Sequence, residues 1–233
     1  MASDSLSNPP SPAPSNKPLY ERYRPGNWEE VIGQSKIVNQ LRRIEQTSGL
    51  AGRAYWLSGK SGSGKSSLAY LIANSVAGPK LFQREIDAQD ATPAELSDIE
   101  RDCRLRPLSS MGGKGSAIII NEAHGLRRDA VRKLLVILER LPQHVAFIFT
   151  TTLEGEAALF DATEDAHPLL SRCLCFKTNG RPGAEEAAKR LQAIAAAEQL
   201  DGRPLKDYVR LFNDNGGNWR ACFQAIEAGE MLP

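Results

Sequence analysis

Apolar and polar positions recur along this chain with two different periods, and the switches between them mark its elements. Ile37, Leu41 and Ile44 stand at helical spacing within 35–47, and Gly49 closes that helix. The short apolar run 54–58 stops at a Gly-rich turn and predicts a strand, and 65–77 predicts the helix after it, bounded by Gly78-Pro79. Leu81 to Asp87 reads as a further strand. Thr92-Pro93-Ala94-Glu95 has the form of an N-cap with Pro in the first turn, opening a helix to about Leu105. The β-branched runs 117–121 and 145–150 predict two buried strands, separated by a helix over 128–141 that Pro142 ends. Residues 173–177 predict the last strand. Strands separated by helix-length segments imply an α/β fold, a parallel sheet with right-handed crossovers. After Gly180 the strand signal stops, and 184–199, 204–213 and 218–228 carry helical periods.

The resulting division is a tail (1–18), a sheet domain (19–180) and a small all-helical module (181–233). The tail, MASDSLSNPPSPAPSNKP, has five Pro and five Ser among few apolar side chains, and is expected to be disordered. Composition narrows the function classes. With 29 basic against 28 acidic side chains the net charge is +1, so any nucleic-acid contact must come from a local patch. A hydrophobic content of 41% supports a packed core. No run approaches the ~18–20 apolar residues of a membrane span, and the start lacks a basic-then-apolar leader, so a cytoplasmic location is expected. Cys103, Cys173, Cys175 and Cys222 form no CxxC pair, so zinc is not expected and reduced thiols are.

The strongest motif is Gly59-Lys60-Ser61-Gly62-Ser63-Gly64-Lys65-Ser66, which fits GxxxxGK[ST] without a gap. A strand before it and a helix after it are the context the chemistry needs. Glycines let backbone N–H groups turn inward around phosphate oxygens, and the helix N-terminus adds positive potential there. Lys65 can reach the β- and γ-phosphates, Ser66 can ligate Mg²⁺, and Ser67 follows in the first turn. A nucleoside triphosphate site follows. A second motif ends the strand at 118–120: Asn121-Glu122-Ala123-His124. In P-loop NTPases an acidic residue at this place holds the metal's water shell, and a following Glu polarises the attacking water. Glu122 suits the second role. Asn121 brings no charge to a hydrated Mg²⁺, and the loss of a charge-assisted hydrogen bond costs about 1.5–3 kcal/mol.

Taken together, the chain resembles the AAA+ ATPases, and within them the clamp-loader family, over residues 19–228. Tyr23-Arg24-Pro25 with Val31-Ile32-Gly33-Gln34 is similar to the family's N-terminal box, which packs on adenine. Gly59–Ser66 matches its Walker A loop, and Asn121-Glu122 lies at its Walker B position with the Asp departed from. Thr152, with Thr151 as the alternative, lies where the family keeps its sensor 1 residue. Leu170-Ser171-Arg172-Cys173 matches its SRC motif, whose Arg acts in trans on a neighbour's ATP. Gly217-Asn218-Trp219-Arg220 resembles its sensor 2 segment.

The resemblance implies an AAA+ parallel sheet flanked by helices with a helical lid, ATP and Mg²⁺ as ligands, and other AAA+ subunits as partners. Tyr23, Val31 and Ile32 would meet the base, Gly59 to Ser67 the phosphates, and Ser66 with Asn121 the metal. Glu122 and Thr152 would place the water, Arg220 would reach the γ-phosphate, and Arg172 would come from another protomer. A sliding clamp and primer–template DNA are the implied substrates, in a nucleoid or nuclear setting. Arg101, Arg104, Arg106 and Lys114 are the candidates for backbone phosphate, against a solvated charged face in which Glu95, Asp98, Glu100 and Asp102 interleave with them. Two functions stay open: an ATPase that loads or remodels a partner on DNA, and a weakly hydrolysing subunit that lends Arg172 to a partner's site.

Overall fold

The computed structural model describes residues 16–78, 80–105, 114–178 and 183–233. Arg106 and most of the expected tail lie outside the described residues. Two units emerge: Ser35–Asn179, and the residues up to Gln34 taken with Gly180–Pro233.

In the first unit the elements follow as α2 (Ser35–Ser48), β1 (Arg53–Gly59), α3 (Lys65–Ala77), β2 (Gln83–Asp87), α4 (Pro93–Cys103), β3 (Ser116–Asn121), α5 (Arg128–Glu139), β4 (Val145–Thr151), α6 (Leu153–Ala162), α7 (Ala166–Ser171) and β5 (Cys173–Thr178); α1 precedes them in the other unit. The strands form one sheet in the order β2-β3-β4-β1-β5 with all pairs parallel. The expected α/β sheet is thus present, and the expected strand from Leu81 starts two residues later, after a 3-10 turn at Lys80–Phe82. The periodicity missed α6 and α7, because a ten-residue helix rich in Ala and a six-residue helix are too short or too evenly apolar to show a sharp stripe.

Alternation along the strands sorts their side chains. Trp56, Ile118, Ile120, Phe147 and Phe149 point to one face, where Leu96 and Ile99 of α4 and Val131 and Leu134 of α5 complete a core. Trp56 and Phe149 pack with ring centroids 5.4 Å apart. Each such fully buried side chain contributes about 1.5–3 kcal/mol. The opposite face, bearing Ile119, Asn121 and Thr150, lies against α3. Two helix starts are capped as their residue types require. Thr92 accepts from Glu95 N at 3.2 Å, and Thr152 accepts from Gly155 N at 3.0 Å.

The second unit contains α1 (Leu19–Arg22), α8 (Ala184–Ala197), α9 (Leu205–Asp214) and α10 (Trp219–Glu227). Leu19 and Tyr23 are buried with Leu191, Tyr208, Phe223 and Ile226. Arg22 makes a two-pronged ion pair with Glu198, at 2.8 and 2.6 Å, and the Tyr23 hydroxyl donates to the same carboxylate at 2.5 Å. The division therefore differs from the one drawn along the sequence: residues 19–34 group with the helical module, not with the sheet. Contiguity in sequence misleads because a four-residue helix cannot bury Leu19 and Tyr23 alone, and the apolar faces of α8 and α10 supply the cover. No helix among the described residues is long and apolar enough to cross a membrane.

Candidate functional site

Parallel strands end on the same edge, and the register fixes which residues meet there. Ser58 pairs with Thr151, Gly59 with Thr178, and Asp87 with Asn121. The loop after β1, the end of β3 and the end of β4 therefore converge, bringing Gly59–Ser66, Asn121, Glu122 and Thr150–Thr152 together.

The loop turns through Gly62 at φ 72° and Gly64 at φ 93°, conformations that side chains with a Cβ rarely adopt. Gly64 then caps α3, so Lys65, Ser66 and Ser67 form the first turn with their amides unspent on the helix. Lys65 is buried, and its ammonium donates to the carbonyl oxygens of Gly59 (3.0 Å) and Lys60 (2.8 Å). A cation is thereby held within the hoop of the loop, above a helix N-terminus. This donor set suits a chain of phosphates.

The end of β3 is built from side chains. Asn121 Nδ2 donates to Glu85 Oε1 on β2 at 2.7 Å, and Thr150 Oγ1 on β4 donates to Asn121 Oδ1 at 3.0 Å. The two bonds fix the amide orientation across three strands. Glu85 is held in turn by the hydroxyl of Tyr70 on α3. The hydroxyl of Ser66 and Asn121 Oδ1, which keeps one lone pair, are neutral oxygens of the kind that could face a metal. Such oxygens would suit a magnesium ion that arrives with a triphosphate, and no group of three or more His, Cys, Asp or Glu among the described residues could hold a metal by itself.

Glu122 follows with φ 50° and ψ 48°, a left-handed conformation that costs about 1–2 kcal/mol for a residue with a Cβ. Its carboxylate is exposed and lies 3.4 Å from His124 Nδ1, which is also 3.1 Å from Thr151 Oγ1. Gly155 makes room for this imidazole: a Cβ there would lie 2.5 Å from the ring. Thr152 uses its oxygen as the cap of α6, and Thr151 is fully buried.

The remaining candidates stand on other elements. Arg172 ends α7 just before β5, whose first residue Cys173 pairs with Ala54 at the opposite edge of the sheet. The six-residue strand β5 runs from beside it to Thr178, roughly 20 Å away. Its guanidinium donates to Pro168 O at 2.9 Å and pairs with Glu139 of α5. In the helical unit, Arg220 is exposed and holds its guanidinium 5.2 Å over the Tyr20 ring. Tyr23 spends its hydroxyl on Glu198, and Val31 and Ile32 are half-buried. Arg101 pairs with Asp98 and Arg104 with Glu100, each at 3.0 Å along α4, and Lys114 is exposed. Hydrogen bonds from Lys133 first, then Arg104, hold the Glu100 carboxyl below its ordinary range. Sequence reasoning passed over Glu85, Thr150 and Thr178. The strand alternation that placed Ile119 opposite Ile120 carries the signal for Thr150, but nothing along the sequence pairs β2 or β5 with their neighbours.

No protein-family model matches the chain. It is 27% identical over 190 residues to the replication factor C small subunit of Methanothermobacter thermautotrophicus, covering 80% of this chain and 55% of that protein. It is 31% identical over 183 residues to the DNA polymerase III subunit gamma of Buchnera aphidicola subsp. Schizaphis graminum, covering 69% and 47%. The chain spans between 54% and 63% of the length of three replication factor C relatives. Among solved structures, the Thermotoga maritima RuvB Holliday junction branch migration motor superposes with a TM-score of 0.67 at 17% identity, over 88% of this chain and 64% of that one, a likeness of fold. The glycine loop, the strand order and these relatives agree in supporting the clamp-loader branch of the AAA+ family as this chain's kin.

Proposed function

We propose that this chain binds ATP with Mg²⁺ at the Gly59–Ser66 loop and hydrolyses it as one subunit of a clamp-loader-like assembly that loads or remodels a partner on DNA. The observation that carries the reading is the buried Lys65 ammonium held inside a loop of left-handed glycines at a helix start. The loop amides and Lys65 would grip the phosphates, and Ser66 and Asn121 would face the metal. Magnesium supplies charge neutralisation across the β- and γ-phosphates when bound. Glu122 would accept the proton of the attacking water, which its exposed carboxylate at the strand end suits. Arg172, at the other edge of its own sheet and exposed, suits a neighbouring subunit's nucleotide; its pairing with Glu139 would break on assembly. The names of the relatives, a replication factor subunit and a DNA polymerase subunit, support DNA as a partner, and the clamp follows from the family resemblance.

A second reading has its own observation. Asn121 is uncharged and both ends of its amide are engaged by Glu85 and Thr150. That favours a subunit that binds ATP, turns it over slowly and lends Arg172 to a partner. Calorimetry with ATP, with and without Mg²⁺, tests the shared premise, and no heat on folded protein removes both readings. Steady-state hydrolysis with and without primed DNA then divides them: stimulated turnover supports the first, tight binding without turnover the second.

A further inference from the structure

The hydroxyl of Thr178 has no part in the reading above. It lies at the end of β5, 3% exposed, in register with Gly59. Its Oγ1 is 3.1 Å from the carbonyl oxygen of Ser58 and 2.6 Å from Oγ of Ser63. A threonine hydroxyl has one proton to give, and a carbonyl can only accept. The Thr178 proton therefore goes to Ser58, and Ser63 donates its own to Thr178. This relay ties the middle of the glycine loop back to the strand from which the loop springs. The space is shaped for it: a Cβ on Gly59 would lie 1.9 Å from Thr178 Oγ1. Glycine at 59 thus serves the hydroxyl as well as the turn.

We propose that Thr178 is a positioning residue of the nucleotide site, whose hydroxyl holds the loop in its phosphate-receiving shape before ATP arrives. The inference rests on the ATP reading. Ordering a loop at the moment of binding costs affinity, whereas a bond made on folding removes that cost from the binding step. Without the relay the loop samples shapes whose amides do not converge, and apparent affinity falls with the competent fraction.

The test is ATP calorimetry on wild type, Thr178→Val, Thr178→Ser, Ser63→Ala and the Ser63→Ala/Thr178→Val double variant. Valine keeps the β-branched shape and removes the hydroxyl. It is expected to weaken ATP binding roughly three- to tenfold, the equivalent of one hydrogen bond. Serine is expected to restore wild-type affinity. Ser63→Ala should match Thr178→Val, and the double variant should bind no more weakly than either single one, because all cut the same link. Unchanged affinity in both single variants, or additive losses in the double, overturns the inference. Should the valine variant fail to fold, Ser63→Ala decides alone, since it leaves β5 untouched. A wild type that binds no ATP overturns the nucleotide reading itself, and is distinguished by that baseline from a relay without consequence.

Discussion

Two regions at one edge of the same sheet make an instructive pair. The Gly59–Ser66 loop is made of backbone: left-handed glycines and the start of α3, with Lys65 the main side chain. The Asn121–His124 segment is made of side chains: an amide locked between Glu85 and Thr150, an exposed carboxylate, and an imidazole beside both Glu122 and Thr151. A site built from backbone keeps its chemistry wherever its glycines persist. One built from side chains changes character with a single atom, as from a carboxylate to an amide at position 121.

The largest expected effect tests whether either region suffices within one chain. Arg172→Ala should leave ATP affinity intact and lower turnover on the order of 1,000-fold, as removal of an arginine finger does. Mixing it with Lys65→Ala protein should restore part of the rate in a hydrolysis assay, and no rescue would place the Arg outside a neighbour's site. Lys65→Ala strikes the backbone-built region at its buried charged side chain, and should weaken ATP binding roughly 10- to 100-fold by calorimetry.

The side-chain-built region invites the opposite experiment, a gain. Asn121→Asp supplies the missing charge and should lower the Mg²⁺ concentration for half-maximal ATP binding. The gain should stay under tenfold, because the new carboxylate meets that of Glu85 where an amide now donates. Glu85→Gln in the same chain should release the rest, to about tenfold. Equal results for the single and double variants would show that Glu85 does not govern position 121.

The smallest effect concerns α4, whose arginines neither region uses. The folded-state carboxyl of Glu100 titrates below its ordinary value, so its bonds to Lys133 and Arg104 stabilise the fold above the ordinary carboxylate range. That contribution is lost as the pH falls through and below it. Glu100→Gln should flatten the acid limb of a melting-temperature profile slightly, and an unaltered limb would assign the slope to other carboxylates.

Much of this molecule is legible from residue order because the relevant physics is local. Glycine spacing, a strand before and a helix after, and β-branched runs at 117–121 and 145–150 each act within a few residues of themselves. The Thr92 cap and the parallel sheet follow from the same short-range rules. Glu85 shows where that reach ends: it sits 36 residues from Asn121, and only the β2–β3 pairing makes them neighbours. Thr178 and Ser63 are 115 apart and meet because β5 chose β1 as its partner.

The sequence alone determined the α/β class, the order of elements and the phosphate loop, since propensity, capping and backbone freedom belong to short stretches of chain. Only the tertiary structure decided that residues 19–34 join the helical unit, that Asn121 is clasped by neighbouring strands, and that a hydroxyl of the last strand braces the loop. Those depend on which surfaces bury one another, a choice made by the whole chain at once.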